Sequence, residues 1–347
     1  MYIKKILLLI VLMGLVIGGL FAYKVYGAIF TPNTKFNNDE AYVYISSDAT
    51  FEDVKSSLEP LITDITTFEQ LAKRKGYISN IKGGKYAIKK GMNNNEIINS
   101  LRSNNISIKL VFNNQETLKN LAGRISTQIE PDSVTLLNSF QDATFLNDNG
   151  FDAENKLAMY IPNSYEFFWN TSADKFRDRM LKEYNRFWNE DRLKKAKTLN
   201  LSPSEVVTLA SIVHKESAKI DERPKVAGLY LNRLKTGMRL QADPTVIFAL
   251  KKHAGNFDLV IKRVLYKDLE LDSPYNTYIH AGLPPGPITM PDISAIDAVL
   301  NHEKHEYYYF VANVENFGYH KFAKTLAQHN RNKVQYIRWV NAQKIYR

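Results

Sequence analysis

No charged residue occurs between Lys5 and Lys24; the stretch from Ile6 to Tyr23 is apolar apart from three glycines and the terminal tyrosine. A helix over those residues is roughly 27 Å long, close to the hydrocarbon thickness of a bilayer. Tyr23 and Tyr26 stand where an interfacial aromatic belt would hold its outer end. A cleaved signal segment is the competing reading. Its apolar part is usually about 7–15 residues long and ends at a small-residue site. The run here is longer, and Val25-Tyr26-Gly27 fits such a site poorly, so a retained single-pass anchor over 1–27 is expected. Lys4 and Lys5 precede the span and only Lys24 follows closely, which places the N-terminus in the cytoplasm and the rest outside the plasma (inner) membrane.

The remaining composition belongs to a folded, exported chain. With 347 residues, 44% of them hydrophobic, it can bury one large core or two modest ones. The absence of cysteine excludes a disulfide framework, a thiol nucleophile, a Cys-ligated metal and a lipidated N-terminal Cys. The net charge of +10 is spread along the chain without zinc-finger spacing or an RNA-binding aromatic signature. It suits anionic headgroups or an acidic wall polymer, and nucleic acid is not expected as a partner.

Residues 28–40 are polar and read as a linker, after which the chain repeats itself. Residues 42–58 align without gaps to 85–101, each copy a short strand, a polar turn and a capped helix. Thr50 and Asp53 in the first copy, and Asn93 and Glu96 in the second, have the spacing of an N-cap oxygen and its N3 carboxylate. Residues 108–112 followed by a helix over 115–125 look like a third pass. Residues 130–200 are mostly helical in pattern, with Ile161-Pro162-Asn163-Ser164-Tyr165 as a turn and 182–197 as a solvated helix. With the late strand at 307–311, this predicts an α+β fold: anchor 1–27, linker 28–40, a strand-helix subdomain over 41–109, and a mixed α+β domain over 110–347.

Ser202-Pro203-Ser204-Glu205 is a helix start with Ser at N-cap, Pro at N1 and Glu at N3. Leu209, Ile212, Val213 and Glu216 then follow at i, i+3, i+4 and i+7, so an apolar face ends in a carboxylate. Desolvation there favours the neutral form, which a general acid needs. Alternatively the helix frays and Glu216 is exposed, or it pairs with Arg223 or Arg233. A second helix over 225–235 follows, its apolar members including Tyr230 being core by default, with Gly237 closing it. Asp243 before Pro244 opens a third helix, capping being its favoured role and a second catalytic carboxylate the alternative. Two loops, at 273–278 and 282–288, combine sugar-binding groups with proline rigidity. His302, His305, His320 and His329 lack the i, i+4 pairing beside an acid found in zinc helices, so no metal is expected. No Gly-x-Ser-x-Gly elbow occurs either.

Leu209-Ala210-Ser211-Ile212-Val213-His214-Lys215-Glu216-Ser217, then Glu222-Arg223, Asn232-Arg233-Leu234 and Leu240-Gln241-Ala242-Asp243-Pro244-Thr245-Val246, resemble the endolytic murein transglycosylase (YceG-like) family. Tyr275-Asn276-Thr277-Tyr278, 282–288 and His329-Asn330 fit its later motifs in order, and Ile161-Pro162-Asn163 its earlier proline turn. The resemblance implies a LysM-like character for the subdomain over 41–109 and a catalytic role for Glu216. It implies a lytic transglycosylase that cuts MurNAc–GlcNAc bonds of peptidoglycan glycan strands, leaves 1,6-anhydro-MurNAc ends and limits strand elongation. Gln241, Asp243, Thr245, Tyr275, Asn276 and Tyr278 are the residues expected to hold glycan. No cofactor is expected. The family commonly carries Glu where this chain has His214, about 200° round the helix from Glu216, so a minor effect is expected. The rival reading is a non-catalytic, membrane-anchored glycan-binding scaffold that positions wall synthases such as penicillin-binding proteins.

Overall fold

The structure is a computed structural model and describes residues 2–343. The first helix, α1 (Tyr2–Phe30), is apolar from residue 6 to 23 and exposes those side chains. Among the described residues it is the one helix long and apolar enough to cross a membrane, over Tyr2–Gly27. The same test is met by a signal segment.

The chain resolves into two compact units. The first comprises residues up to 110 with 128–131 and 165–172. Its folded part runs β1 (Glu40–Ile45), α2 (Phe51–Leu58), α3 (Ile65–Arg74), β2 (Gly84–Lys89), α4 (Asn94–Ser103). The two strands pair antiparallel, from Glu40 opposite Lys89 to Ile45 opposite Gly84. Both repeated helix starts are closed capping boxes, at Thr50 with Asp53 and at Asn93 with Glu96. Val54 and Leu58, and their repeat counterparts Ile97 and Leu101, are fully buried with Val43, Ile45, Phe68, Tyr86 and Ile88.

The polar stretch after α1 is not a free tether. Pro32 bridges to Asn93 and Thr34 to Ile62. Asn33 is buried, its amide donating to the Asp64 carbonyl (2.9 Å) and to Asn94 Oδ1 (2.6 Å). Phe36 packs on the same core. The reason is that the Asn33 amide donates to the carbonyl of Asp64 and accepts its N–H, pairing both backbone groups of that residue, while its second donor serves the buried Asn94 side chain.

The chain leaves and re-enters the first unit along β3 (Ser107–Phe112) and β4 (Asn163–Phe168), which pair with each other. The expected turn at 161–165 is therefore the start of a strand, and the third strand-helix pass does not join the β1–β2 sheet. Its helix, α5 (Leu118–Ser126), begins later than expected because Thr117 is the cap that accepts the Asn120 N–H, and α6 (Ser133–Phe140) and α7 (Ala143–Asp148) follow it. The predicted solvated helix at 182–197 is two helices, α8 (Ala173–Phe187) and α9 (Glu190–Thr198). They break where Trp188 is buried and Asn189 caps α9.

The second unit is built round α10 (Pro203–Glu216), which has Ser202 and Glu205 as its capping box. Every residue from Val206 to Val213 is buried, so this helix is covered on all sides rather than along one face. It packs on α9, α11 (Arg223–Lys235), α12 (Asp243–His253) and α13 (Ile293–Leu300). Ser211, fully buried, accepts the Ile288 N–H at 3.0 Å and so ties the proline loop to α10. A hairpin, β5 (Tyr309–Ala312) with β6 (His320–Ala323), and α14 (Leu326–Ala342) complete this unit.

Candidate active site

Glu216 is the last residue of α10, where the helix stops being covered. It lines a cleft of about 310 Å³ in the second unit with Tyr230 and Arg233 of α11, Gln241, Asp243, Tyr278, Tyr309, Phe310 and, from α14, Leu326 and His329. The Tyr230 hydroxyl donates to Glu216 Oε1 at 2.8 Å. Burial, opposed by the Tyr230 hydrogen bond and aided by the neighbouring Asp243 charge, pushes the Glu216 carboxyl up to about 7. His320 and Arg233 act in the opposite direction. A carboxyl titrating there holds a proton near neutrality yet can release it, as a group serving as acid and then base must.

The alternative pairing of Glu216 with an arginine does not form. Arg233 donates from Nε to the Tyr308 carbonyl (2.7 Å) and from Nη1 to the Leu240 carbonyl (2.5 Å), which fixes the hairpin and the approach to α12. Arg223 instead donates to the Ser217 carbonyl (3.0 Å) and lies 3.3 Å from Asp292. Glu222 accepts from Ser217 Oγ at 3.0 Å and from the backbone N–H of His320 at 2.6 Å. The residue after Glu216 is thereby clamped through its side chain and its carbonyl. His214 lies 3.2 Å from Asp292 and is absent from the cleft lining.

Asp243 is not a cap. Ala242 holds the N-cap position without a side-chain bond, and Asp243 is the first helical residue. Its carboxylate accepts from the Tyr278 hydroxyl at 2.6 Å inside the cleft. The shift of one residue has a backbone cause: Gln241 has φ +47°, a left-handed conformation that costs a non-glycine residue about 1 kcal/mol. It is held there by its own N–H donating to the Thr277 carbonyl (3.1 Å) and by the Ala242 N–H donating to Thr277 Oγ1 (3.0 Å).

Of the six residues expected to hold glycan, the cleft therefore gathers Gln241, Asp243 and Tyr278. Thr245, Asn276 and Tyr275 do not line it. Thr245 is fully buried, its hydroxyl 2.8 Å from that of Thr277. Asn276, also fully buried, donates to the carbonyls of Leu269 and Leu271 and accepts from the Tyr278 N–H, so it shapes the loop that presents Tyr278. Tyr275 turns away to donate to Glu154 at 2.8 Å. Tyr230 lies in the core as expected, but sequence reasoning missed that its hydroxyl reaches Glu216, and it left Tyr309, Phe310, Leu326 and His329 without a role at the cleft. The i, i+3 spacing of Tyr230 and Arg233 on one helix was an available signal. Neighbours Tyr309 and Phe310 both reach the cleft, so strand alternation offered none.

This geometry has counterparts. The profile of the YceG-like family matches residues 43–335, and that span contains every residue of the cleft. The chain belongs to the YceG-like family. It is 32% identical to an endolytic murein transglycosylase of Bacillus subtilis, over 93% of this chain and 91% of that protein. An endolytic murein transglycosylase of Streptococcus pneumoniae is 28% identical over 92% of this chain, which spans 62% of that longer relative. A crystal structure of a YceG-like protein from Listeria monocytogenes superposes with a TM-score of 0.57 at 30% identity, covering 85% of this chain and 99% of that one.

Proposed function

We propose that this chain is an endolytic murein transglycosylase, a lyase acting on peptidoglycan, in which Glu216 serves as both acid and base. The observation that carries the reading is the carboxyl of Glu216 titrating near 7 in a cleft rimmed by Tyr230, Tyr278 and Tyr309, in a family whose relatives bear that activity in their names. Neutral Glu216 protonates the oxygen between N-acetylmuramic acid and N-acetylglucosamine, and the C1–O bond breaks. The C6 hydroxyl of the muramic residue attacks C1, and its proton passes to the Glu216 carboxylate. The products are a 1,6-anhydro end and a free 4-hydroxyl, and the acid form is restored. Intramolecular attack avoids recruiting water. Tyr230 orients the carboxyl, Gln241, Asp243 and Tyr278 are placed to hold sugar hydroxyls, and no cofactor is needed.

In the same reading α1 is a single-pass anchor with its N-terminus in the cytoplasm, and both units lie outside the membrane. The β1-α2-α3-β2 segment is a LysM-like module that helps retain glycan, its strand-helix-helix-strand order being the support. Strand elongation is limited where wall synthases, penicillin-binding proteins among them, deliver new chain.

The test is to incubate the full-length protein with un-crosslinked glycan strands and weigh the products. Anhydro-muropeptides, lost on Glu216→Gln, are the expected result. Because Asp243 shares the cleft, ordinary reducing ends would mean that a second carboxylate activates water and that the reaction is hydrolytic. Strand binding without any product would leave a scaffold.

A further inference from the structure

The start of α12 is shared between the Glu216 cleft and a second concave surface in the same unit. Asp243 lines the cleft; the next residue, Pro244, with Ile247 and Lys251, lines a depression of about 380 Å³. Phe248 continues it into a further cavity of about 490 Å³, whose wall includes Lys252 and Tyr275. The three hollows thus succeed one another along one side of α12, over roughly 14 Å from Asp243 to Lys252.

The chemistry changes along that path. Lysines outnumber carboxylates five to three in the two further hollows. Glu116 accepts from Lys215 and Lys251, each at 2.7 Å, and Glu154 accepts from Lys252 at 2.5 Å and from Tyr275. Each ammonium has three donors, so the acids hold these lysines in place while leaving N–H groups for a ligand. Lys119 and Lys156 also line the larger cavity, and neither forms a salt bridge among the described residues. The rings of Phe248, Phe257 and Tyr275 add apolar wall. Such a surface suits a short ligand that alternates carboxylates with small apolar groups, whereas a bare sugar chain would leave most of the cationic donors unused.

We infer that the hollows beside α12 bind the carboxylate-bearing peptide stem of the muramic residue whose sugar ring occupies the Glu216 cleft. The inference rests on the murein reading above. The lengths agree: four extended residues reach about 13 Å, against roughly 14 Å of α12. It follows that stems contribute binding to a reaction that takes place on the sugar backbone.

The experiment compares full-length protein acting on stem-bearing strands and on the same strands stripped of stems by an amidase. Stem-bearing strands are expected to show a KM lower by about tenfold, equivalent to one charged hydrogen bond. The double variant Lys119→Gln, Lys252→Gln is expected to lose that advantage. Equal KM values in the wild type, or an advantage the double variant keeps, overturn the inference. An independent arm titrates the free tetrapeptide stem into full-length Glu216→Gln protein by calorimetry, with and without the two lysine changes. Lysine-dependent peptide binding without cleavage of either strand would support the pocket and refute the lyase reading. Absence of peptide binding, or stronger binding of a phosphodiester oligomer, would refute the pocket while cleavage still reports on the lyase.

Discussion

The hydroxyl of Tyr230 donates to Glu216 Oε1 across 2.8 Å, joining the end of one buried helix to the middle of the next. Because Tyr230 is itself buried, this hydrogen bond is shielded from water. It favours the charged form of the carboxyl in a site where burial favours the neutral form. The balance makes the activity a function of pH in a way two substitutions pull apart.

Activity that needs the protonated acid should decline as pH rises through about 7. Tyr230→Phe removes a bond to the carboxylate, so the alkaline limb of kcat/KM should move to higher pH. Asp243→Asn removes a neighbouring negative charge, so that limb should move to lower pH. Shifts in the same direction, measured on one strand preparation, would contradict the assignment.

Replacing Glu216 by Gln should lower turnover by at least about 10²-fold while strand binding persists. A pull-down on insoluble murein alongside product analysis separates the two effects.

The same carboxyl affects stability. Its folded value lies above the ordinary 4.5, so the native state holds the proton longer than the unfolded chain. Below about 4.5 both states are protonated and nothing is lost; between 4.5 and 7 stability falls as pH rises; above 7 the full penalty applies, on the order of 2–3 kcal/mol for a partly accessible group. Glu216→Gln protein should therefore melt at a higher temperature than wild type at pH 8 and at the same temperature at pH 4.

Ser202→Ala breaks the capping box of α10 and should destabilise the second unit by about 1 kcal/mol. The expected loss in melting temperature is about 2–4 °C, with no change in the pH profile.

A Cβ on Gly286 would sit 2.1 Å from the carbonyl oxygen of Glu154. Since backbone cannot yield as a flexible side chain does, Gly286→Ala should cost about 1–3 kcal/mol, read by denaturant titration. Of the two glycines in the 282–288 loop, Gly282 takes a left-handed backbone (φ +87°), whereas Gly286 serves close approach and is not in the left-handed region.

Much of the local structure was legible because its causes are short-range. Thr50 with Asp53, Asn93 with Glu96 and Ser202 with Glu205 each involve partners three residues apart, so a pattern of letters is enough to locate them. The role of Asp243 was not legible. Whether it caps α12 or enters the cleft depends on Thr277, more than thirty residues later, holding Gln241 left-handed. Tyr275 was drawn away by Glu154, 121 residues distant in sequence, and the linker was docked by Asn33 reaching Asn94. Hydrogen bonds of that span leave no periodic trace.

The sequence by itself determined the uncharged stretch within the long N-terminal helix, the paired capped repeats, and a buried helix whose last residue is Glu216. These follow from composition and from interactions within a turn or two. Only the tertiary structure decided which groups surround Glu216 and hence where it titrates. Desolvation is collective: it sums the exclusion of water by α11, α12, the β5–β6 hairpin and α14, and no single segment carries that information.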